Sequence, residues 1–329
     1  MPCSYTNFSV LAEYKPELKP HVDLWVRFAT TAKVDQLSLR LPSSIELYKR
    51  YKLPQAPSIF APISLFLNWI FIFAKSSLKV SESLKKLVID SYSYYADFDL
   101  YYPMELEIVA PKIESLEIIG NFYDVRKCQI KDVSALVEVK VDFEIEINFE
   151  SEEEEGDLSK ACENIVRELF ESLHQVKKLL VGKWCLMRSS PLLKCKCLTI
   201  KPRMKRWDLP GIESLLQSSP FVETLYLERS YDKVTHGKSK VIYFKTLLRH
   251  LKTVKVFGFG EFFHTNKVFI LVVQCLLKNA KVLEKMVITK PLVMQNQTCN
   301  MLCEFLQVAQ KLLSFPRSSP HAVVMFPYE

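Results

Sequence analysis

Side chains able to do chemistry are present in this chain, but their spacing does not assemble a reaction centre. Cys195 and Cys197 flank a single lysine in KCKCLTI, and Cys299 and Cys303 stand four positions apart in CNMLC. A structural zinc site draws Cys and His in paired clusters about two to four residues apart. None of His21, His174, His236, His250, His264 and His321 falls beside either cysteine pair. Both pairs therefore read as small buried apolar residues. Acid–base or nucleophilic catalysis needs groups within mutual reach, whereas these histidines are scattered along helix edges and loops. No G-x-S-x-G, P-loop or H-E-x-x-H pattern occurs, and 7 glycines against 17 prolines speak against a glycine-rich nucleotide cradle. The sequence thus assigns no catalytic residue, no cofactor site and no metal ligand, and the expectation is a protein that is not an enzyme.

Charge gives a second exclusion. The net charge of +7 is modest for 329 residues and is not gathered into a basic tail, so nucleic acid is not expected as a partner. KPRMKRWD (Lys201 to Asp208) carries four cations and a tryptophan but reads as a surface loop after a strand; ESEEEEGD (Glu150 to Asp157) reads as a solvated acidic loop ahead of a helix. The N-terminus lacks the charged-then-apolar design of a secretory signal. With nine cysteines, an odd set, reduced thiols in the cytoplasm or nucleus are the simplest expectation.

The elements that would position any functional side chain appear in a repeated phrase. LLQSSPFVETLYL (Leu215 to Leu227) and LLKNAKVLEKMVI (Leu276 to Ile288) share one grammar, and so do LFESLHQVKKLLV from Leu169, APKIESLEI from Ala110 and TAKVDQLSL from Thr31. Glu114, Glu223 and Glu284 occupy one matched position, with Asp35 acidic there too. Each copy ends in an alternating apolar pair: Leu37 and Leu39, Leu116 and Ile118, Leu179 and Val181, Leu225 and Leu227, Met286 and Ile288. Alternation of that kind marks a short strand with one buried face. LKKLVID, VSALVEVKV, CKCLTIK and HLKTVKVFGF supply further strands. Ile212, Leu215 and Leu216, and Phe269, Val272, Val273, Leu276 and Leu277, are spaced for a helical face.

Strands recurring every roughly 20 to 30 residues fall in the leucine-rich-repeat range. Units this small must stack to bury their apolar faces. The fold expected is an α/β leucine-rich-repeat solenoid: a curved parallel sheet, with a helix or turn from each copy on the opposite side. On that sheet the apolar residues face the core and their neighbours, Val88, Thr199 and Phe257 among them, face the concave surface. The candidate partner-binding residues are therefore Arg40, Asp90, Glu117, Lys140, Lys201, Tyr226, Glu228 and Lys255. A rigid array of side chains on such a surface suits a protein target, whose identity the residues do not give.

The interval from Leu37 to Leu87 is about twice the usual one and holds IFAPISLFLNWIFIFA, Ile59 to Ala74. A helix there would reach about 24 Å at about 1.5 Å per residue, short of the ~30 Å hydrocarbon core. No membrane span is expected; the stretch reads as an apolar insertion over 57–74, packed on the solenoid or foreign to the working protein. Leu24, Val26 and Phe28 would cover the N-terminal end, and a helix around Leu302 to Leu313 the other.

LKCKCLTIKPRMKRWDLPGIESLLQSSPFVETLYLE, NAKVLEKMVITK and FLQVAQKLLSFPRSSPHAVVMF closely resemble the C-terminal part of plant F-box/leucine-rich-repeat proteins that carry an FBD domain, and HVDLWVRFATTAKVDQLSLRL resembles their first repeat. The resemblance runs from His21 to Phe326 apart from the Pro57 to Ala74 stretch. It implies an N-terminal extension over 1–20, a repeat region over 21–250, and an FBD domain over 251–329 that continues the solenoid. It also implies the substrate-recognition part of an SCF-type ubiquitin ligase. The family's F-box precedes the first repeat and docks on a Skp-type adaptor, and no such module is expected in YTNFSVLAEYKPELKP. The Skp-type adaptor and cullin would then be partners only with an F-box supplied upstream. The alternative is an F-box-less repeat scaffold with no ligase role.

Overall fold

A computed structural model of the chain describes residues 7–12, 18, 20–21, 24–25, 27–28, 36–40, 64–68, 76–79, 84–91, 104–123, 125–146, 163–186, 190–205, 208–228, 248–257, 267–289 and 299–327. The acidic stretch Glu150 to Asp157, Val26, His236, His264 and most of Ile59 to Ala74 lie outside the described residues. The chain divides into two compact units, Met1–Leu173 and His174–Glu329.

In the first unit the strands are β1 (Asn7–Leu11), β2 (Gln36–Arg40), β3 (Ser64–Asn68), β4 (Ser76–Lys79), β5 (Lys86–Ser91), β6 (Met104–Val109), β7 (Ser115–Tyr123), β8 (Val125–Lys131) and β9 (Glu138–Glu146). They sort into two parallel sheets, β1-β2-β3-β5-β7-β9 and β4-β6-β8. The larger sheet lines up its leucines rung by rung. Leu37 pairs with Leu65, Leu65 with Leu87, Leu87 with Leu116 and Leu116 with Val139. Two residues along, Leu39, Leu67, Ile89, Ile118 and Val141 repeat the pattern. Strand β3 lies inside the apolar stretch. Leu65 therefore divides the double interval between Leu37 and Leu87, and that part is a sheet strand in register with its neighbours. Strand β1 likewise gives the N-terminal extension a rung beside β2; there Phe8 meets Phe28 at a ring-centroid distance of 5.2 Å.

A helix or turn was expected opposite each strand. Between β3 and β9, however, the returning segments contain the strands of the second sheet, in which Leu106, Ile108, Cys128 and Ile130 are buried. The reason lies in MELEIV and VRKCQIK, whose apolar residues alternate. On a strand that pattern gathers them on one face; on a helix it would scatter them around the axis. Helical residues at 163–172 close the unit, burying Ile165, Val166, Leu169 and Phe170.

The second unit runs in chain order: β10 (Lys178–Val181), β11 (Cys197–Ile200), β12 (Thr224–Glu228), β13 (Thr253–Phe257), β14 (Lys285–Ile288) and β15 (Val323–Met325), all parallel. Leu179, Leu198, Leu225, Val254, Met286 and Val324 form one buried row across it. Helices Asp208–Ser218, Lys267–Asn279 and Cys299–Leu313 return the chain between strands. The first two bury the residues their spacing marked, Ile212, Leu215 and Leu216, and Phe269, Val272, Val273, Leu276 and Leu277.

One backbone bond pattern repeats at six junctions among the described residues, and at the last, β14 to β15, Glu284 accepts Val323 alone. The carbonyl at the matched position ahead of a strand accepts two amide N–H groups from the next copy. Lys196 and Cys197 donate to Lys177 at 2.9 and 3.1 Å, Glu223 and Thr224 to Lys196 at 2.8 and 3.0 Å, Lys252 and Thr253 to Glu223 at 2.9 and 3.0 Å, and Glu284 and Lys285 to Lys252 at 2.8 and 3.1 Å. In the first unit Glu114 and Ser115 donate to Lys85, and Val137 and Glu138 to Glu114. The position is thus not uniformly acidic. It carries lysine more often than glutamate, and opposite signs meet across two of the junctions: Lys85 Nζ lies 2.6 Å from Glu114 Oε1, and Lys196 Nζ 2.9 Å from Glu223 Oε1.

The KPRMKRWD loop is closed by its own aspartate. Asp208 Oδ2 accepts the Lys205 amide at 3.0 Å and the Asp208 amide donates to the Lys205 carbonyl at 3.0 Å. Met204 in this loop is buried at φ 56°. Burial raises the Asp208 carboxyl above its ordinary value, opposed by the amides of the loop and by Arg203. Three residues on, Gly211 brings its helix against the backbone of Leu186; a Cβ there would overlap the Leu186 carbonyl oxygen and Cβ.

Leu225, fully buried at the middle of its row, should lose about 2–5 kcal/mol of stability on replacement by alanine, read as a shift in urea midpoint. Val323→Ala, at a side chain 54% exposed, should stay within about 0.5 kcal/mol; equal losses at both sites would contradict the assignment of faces. Gly211→Ala should destabilise by more than about 1 kcal/mol, although alanine is favoured over glycine inside a helix by about 1 kcal/mol. A stabilised Gly211→Ala protein would show that the helix does not meet Leu186 as described.

Candidate functional site

The alternation that buries Leu225 and Leu227 puts Thr224, Tyr226 and Glu228 on the other face of β12, all partly exposed. Parallel register carries this across the unit, so that Thr199, Tyr226, Lys255 and Val287 stand side by side. Tyr226 stacks almost flat against Phe257, with centroids 6.2 Å apart and planes at 6°. Lys255 Nζ sits 5.4 Å from the centroid of the Tyr226 ring. At the end of the same strands Lys201 Nζ approaches Glu228 Oε2 at 3.7 Å. Of the residues expected on the partner-binding face, the fold therefore brings Tyr226 to Lys255 and Lys201 to Glu228.

In the first unit Glu117 stands between two cations, Lys86 at 2.7 Å and Lys140 at 3.7 Å. Arg40 and Asp90 share a register line through Asn68. Asp90 is only 9% exposed and its neighbour Val88 is buried too, so β5 has little of the open character expected for those two residues. Phe257, expected on the same face, and Lys86, which was not among the expected residues, complete these contacts. Lys86 could have been found by carrying the alternation of Leu87 and Ile89 back to the first residue of β5.

These charges do little for stability. At partial exposure each ion pair is worth about 0.2–1 kcal/mol, and the aromatic stack about 0.5–1.5 kcal/mol beyond its buried area. What they offer a ligand is chemical variety: a flat aromatic surface, a phenol, a mobile ammonium and a carboxylate within a few strands. Aromatic residues are enriched at the centres of surfaces that bind proteins, and charged residues such as these belong to their polar rims.

The thiols have no part in it. Cys128 is buried and its thiol is pushed up to about 12, by burial first and by the charge of Glu168 second. Cys195 is pushed up to about 11 by burial, with the Ser219 hydroxyl acting in the opposite sense. Both therefore stay protonated at neutral pH, the inert form of a thiol. Cys197 lies on the open face of β11 and Cys195 in the core, so the pair does not converge. Cys299 and Cys303 fall within the last helix. His21, His174, His250 and His321 are exposed. Among the described residues no group of three or more His, Cys, Asp or Glu side chains could hold a metal ion, and no helix is long and apolar enough to cross a membrane.

No family model matches the sequence. Curated proteins of Arabidopsis thaliana do. One named an F-box/LRR-repeat protein is 24% identical over 253 residues, covering 63% of this chain and 54% of the relative. One named an F-box protein is 29% identical over 199 residues, covering 55% of this chain and 58% of the relative. A second F-box/LRR-repeat protein is 29% identical over 204 residues, covering 56% and 42%. The chain spans about half the length of the curated relatives it matches. In sequence the chain is similar to plant F-box and F-box/leucine-rich-repeat proteins, and its parallel strands in repeating register are compatible with a repeat fold.

Proposed function

We propose that the chain is a leucine-rich-repeat solenoid working as a protein-interaction module: the substrate-recognition part of an SCF-type ubiquitin ligase, with an FBD domain over Leu251 to Glu329 and no chemistry of its own. The single observation that carries this reading is the Tyr226–Phe257 stack with Lys255 beside it, on the face opposite the leucine core. A target protein would lie across this face, with Lys201 and Glu228 at its margin. Side chains of these types, held on strands, bind at a reduced ordering cost, since the sheet has already fixed the backbone that carries them. The Skp-type adaptor and cullin would join through an F-box module, and ubiquitin transfer would fall to other subunits. A scaffold using the same face without a ligase is the competing reading, and the experiment separates the two.

The tagged chain and its Tyr226→Ala/Lys255→Glu variant are compared by quantitative mass spectrometry of proteins retained from plant extract. Proteins specific to the unaltered chain should fall roughly tenfold with the variant; retention of the same set at the same level would overturn the assignment of the face. In parallel, the chain is tested against a purified Skp-type adaptor with and without an F-box fused ahead of it. Adaptor binding and ubiquitination of a retained protein by the fused form support the ligase role. A fused form that binds the adaptor while no retained protein is ubiquitinated points to the scaffold.

A further inference from the structure

The strand-start edge of the second unit carries a feature that the open face does not explain. The shared-carbonyl bonds place the junction residues Lys177, Lys196, Glu223, Lys252 and Glu284 on successive rungs, about 4.8 Å apart as neighbouring strands are. The turns leading into those rungs add Lys194, Arg249 and Lys281, all exposed. Cations thus outnumber carboxylates along one line, on a chain whose net charge is only +7. Glu223 is held below its ordinary carboxylate value chiefly by its hydrogen bond to Lys196, with the charges of Lys196, Lys252 and His250 adding to it. Beside it Phe221, 46% exposed, faces the His250 ring at a centroid distance of 6.0 Å.

We infer that this rim is a docking surface for an acidic polypeptide segment, distinct from the target-binding face. The charge pattern selects the partner class. A polyphosphate presents one sign at every step, and Glu223 and Glu284 would repel it at two of five successive rungs. A peptide can set carboxylates against the lysines and place a neutral or basic residue at the glutamates, with an apolar side chain on Phe221. Opposite-sign surfaces of this kind speed encounter and set register, and their strength falls with salt.

The test uses the full chain and a fluorescein-labelled peptide of alternating glutamate and alanine, read by fluorescence anisotropy at low and high salt. Binding should weaken as salt rises and fall at least roughly tenfold in a Lys194→Gln/Arg249→Gln/Lys281→Gln variant. Glu223→Gln should tighten it severalfold, a gain that misfolding cannot imitate, and Tyr226→Ala should leave it unchanged, which keeps this outcome separate from that of the open face. The inference is overturned if the peptide does not bind, if the triple variant binds it equally, or if a single-stranded oligodeoxythymidylate of equal charge binds more tightly, which would assign the rim to nucleic acid.

Discussion

A carbonyl oxygen has two lone pairs, and this chain uses both at the same place in copy after copy. The oxygens of Lys85, Glu114, Lys177, Lys196, Glu223 and Lys252 each take two amide protons from the strand start that follows. That arrangement fixes where the next strand begins to within a single residue. Because side chains alternate along a strand, a slip of one residue would turn Leu225 and Leu227 out to water and Tyr226 in. The two-bond junction therefore decides which residues form the core and which are left for recognition. Every surface described above inherits its geometry from it.

The junction also explains why side-chain charge at the matched position can vary. Its structural duty belongs to the backbone, which any residue except proline can perform as both donor and acceptor. The side chain points away from the bond and is free to take either sign. Lysine meets glutamate across two of the junctions, Lys85 with Glu114 and Lys196 with Glu223, at exposures where the gain in stability is small. Charge at this edge is accordingly a property available for recognition, whereas the leucine rows are not.

Much of this was legible in the residues alone. The alternating pairs located β2, β7, β10, β12 and β14, and helix spacing located the faces built on Leu215 and on Phe269. The apolar stretch was harder, because uniformly apolar residues such as ISLFLNW show no alternation by which a strand can be recognised; only the doubled interval hinted at a missing rung. The second sheet of the first unit was not legible at the level of the repeat, because its strands occupy the place where helices stand in the other unit, although MELEIV and VRKCQIK keep a local period of two. At the candidate site, alternation correctly marked Tyr226, Lys255 and Glu228, but it cannot report how deep a strand lies. Asp90 has the right parity and is nonetheless buried, since covering depends on neighbours that no single strand encodes.

A chain joined in this way has a particular relation to changes in its own length. Six neighbouring pairs of copies are bonded through junctions of the same form, so adding or deleting a whole copy there leaves two compatible surfaces to rejoin. Adding or deleting one residue between a junction carbonyl and its strand does not, because it reverses inside and outside for all that follows within that strand. Descendants of such a chain can therefore differ by entire rungs more easily than by single residues near a strand start, and small insertions should accumulate in the turns between elements, which carry no register.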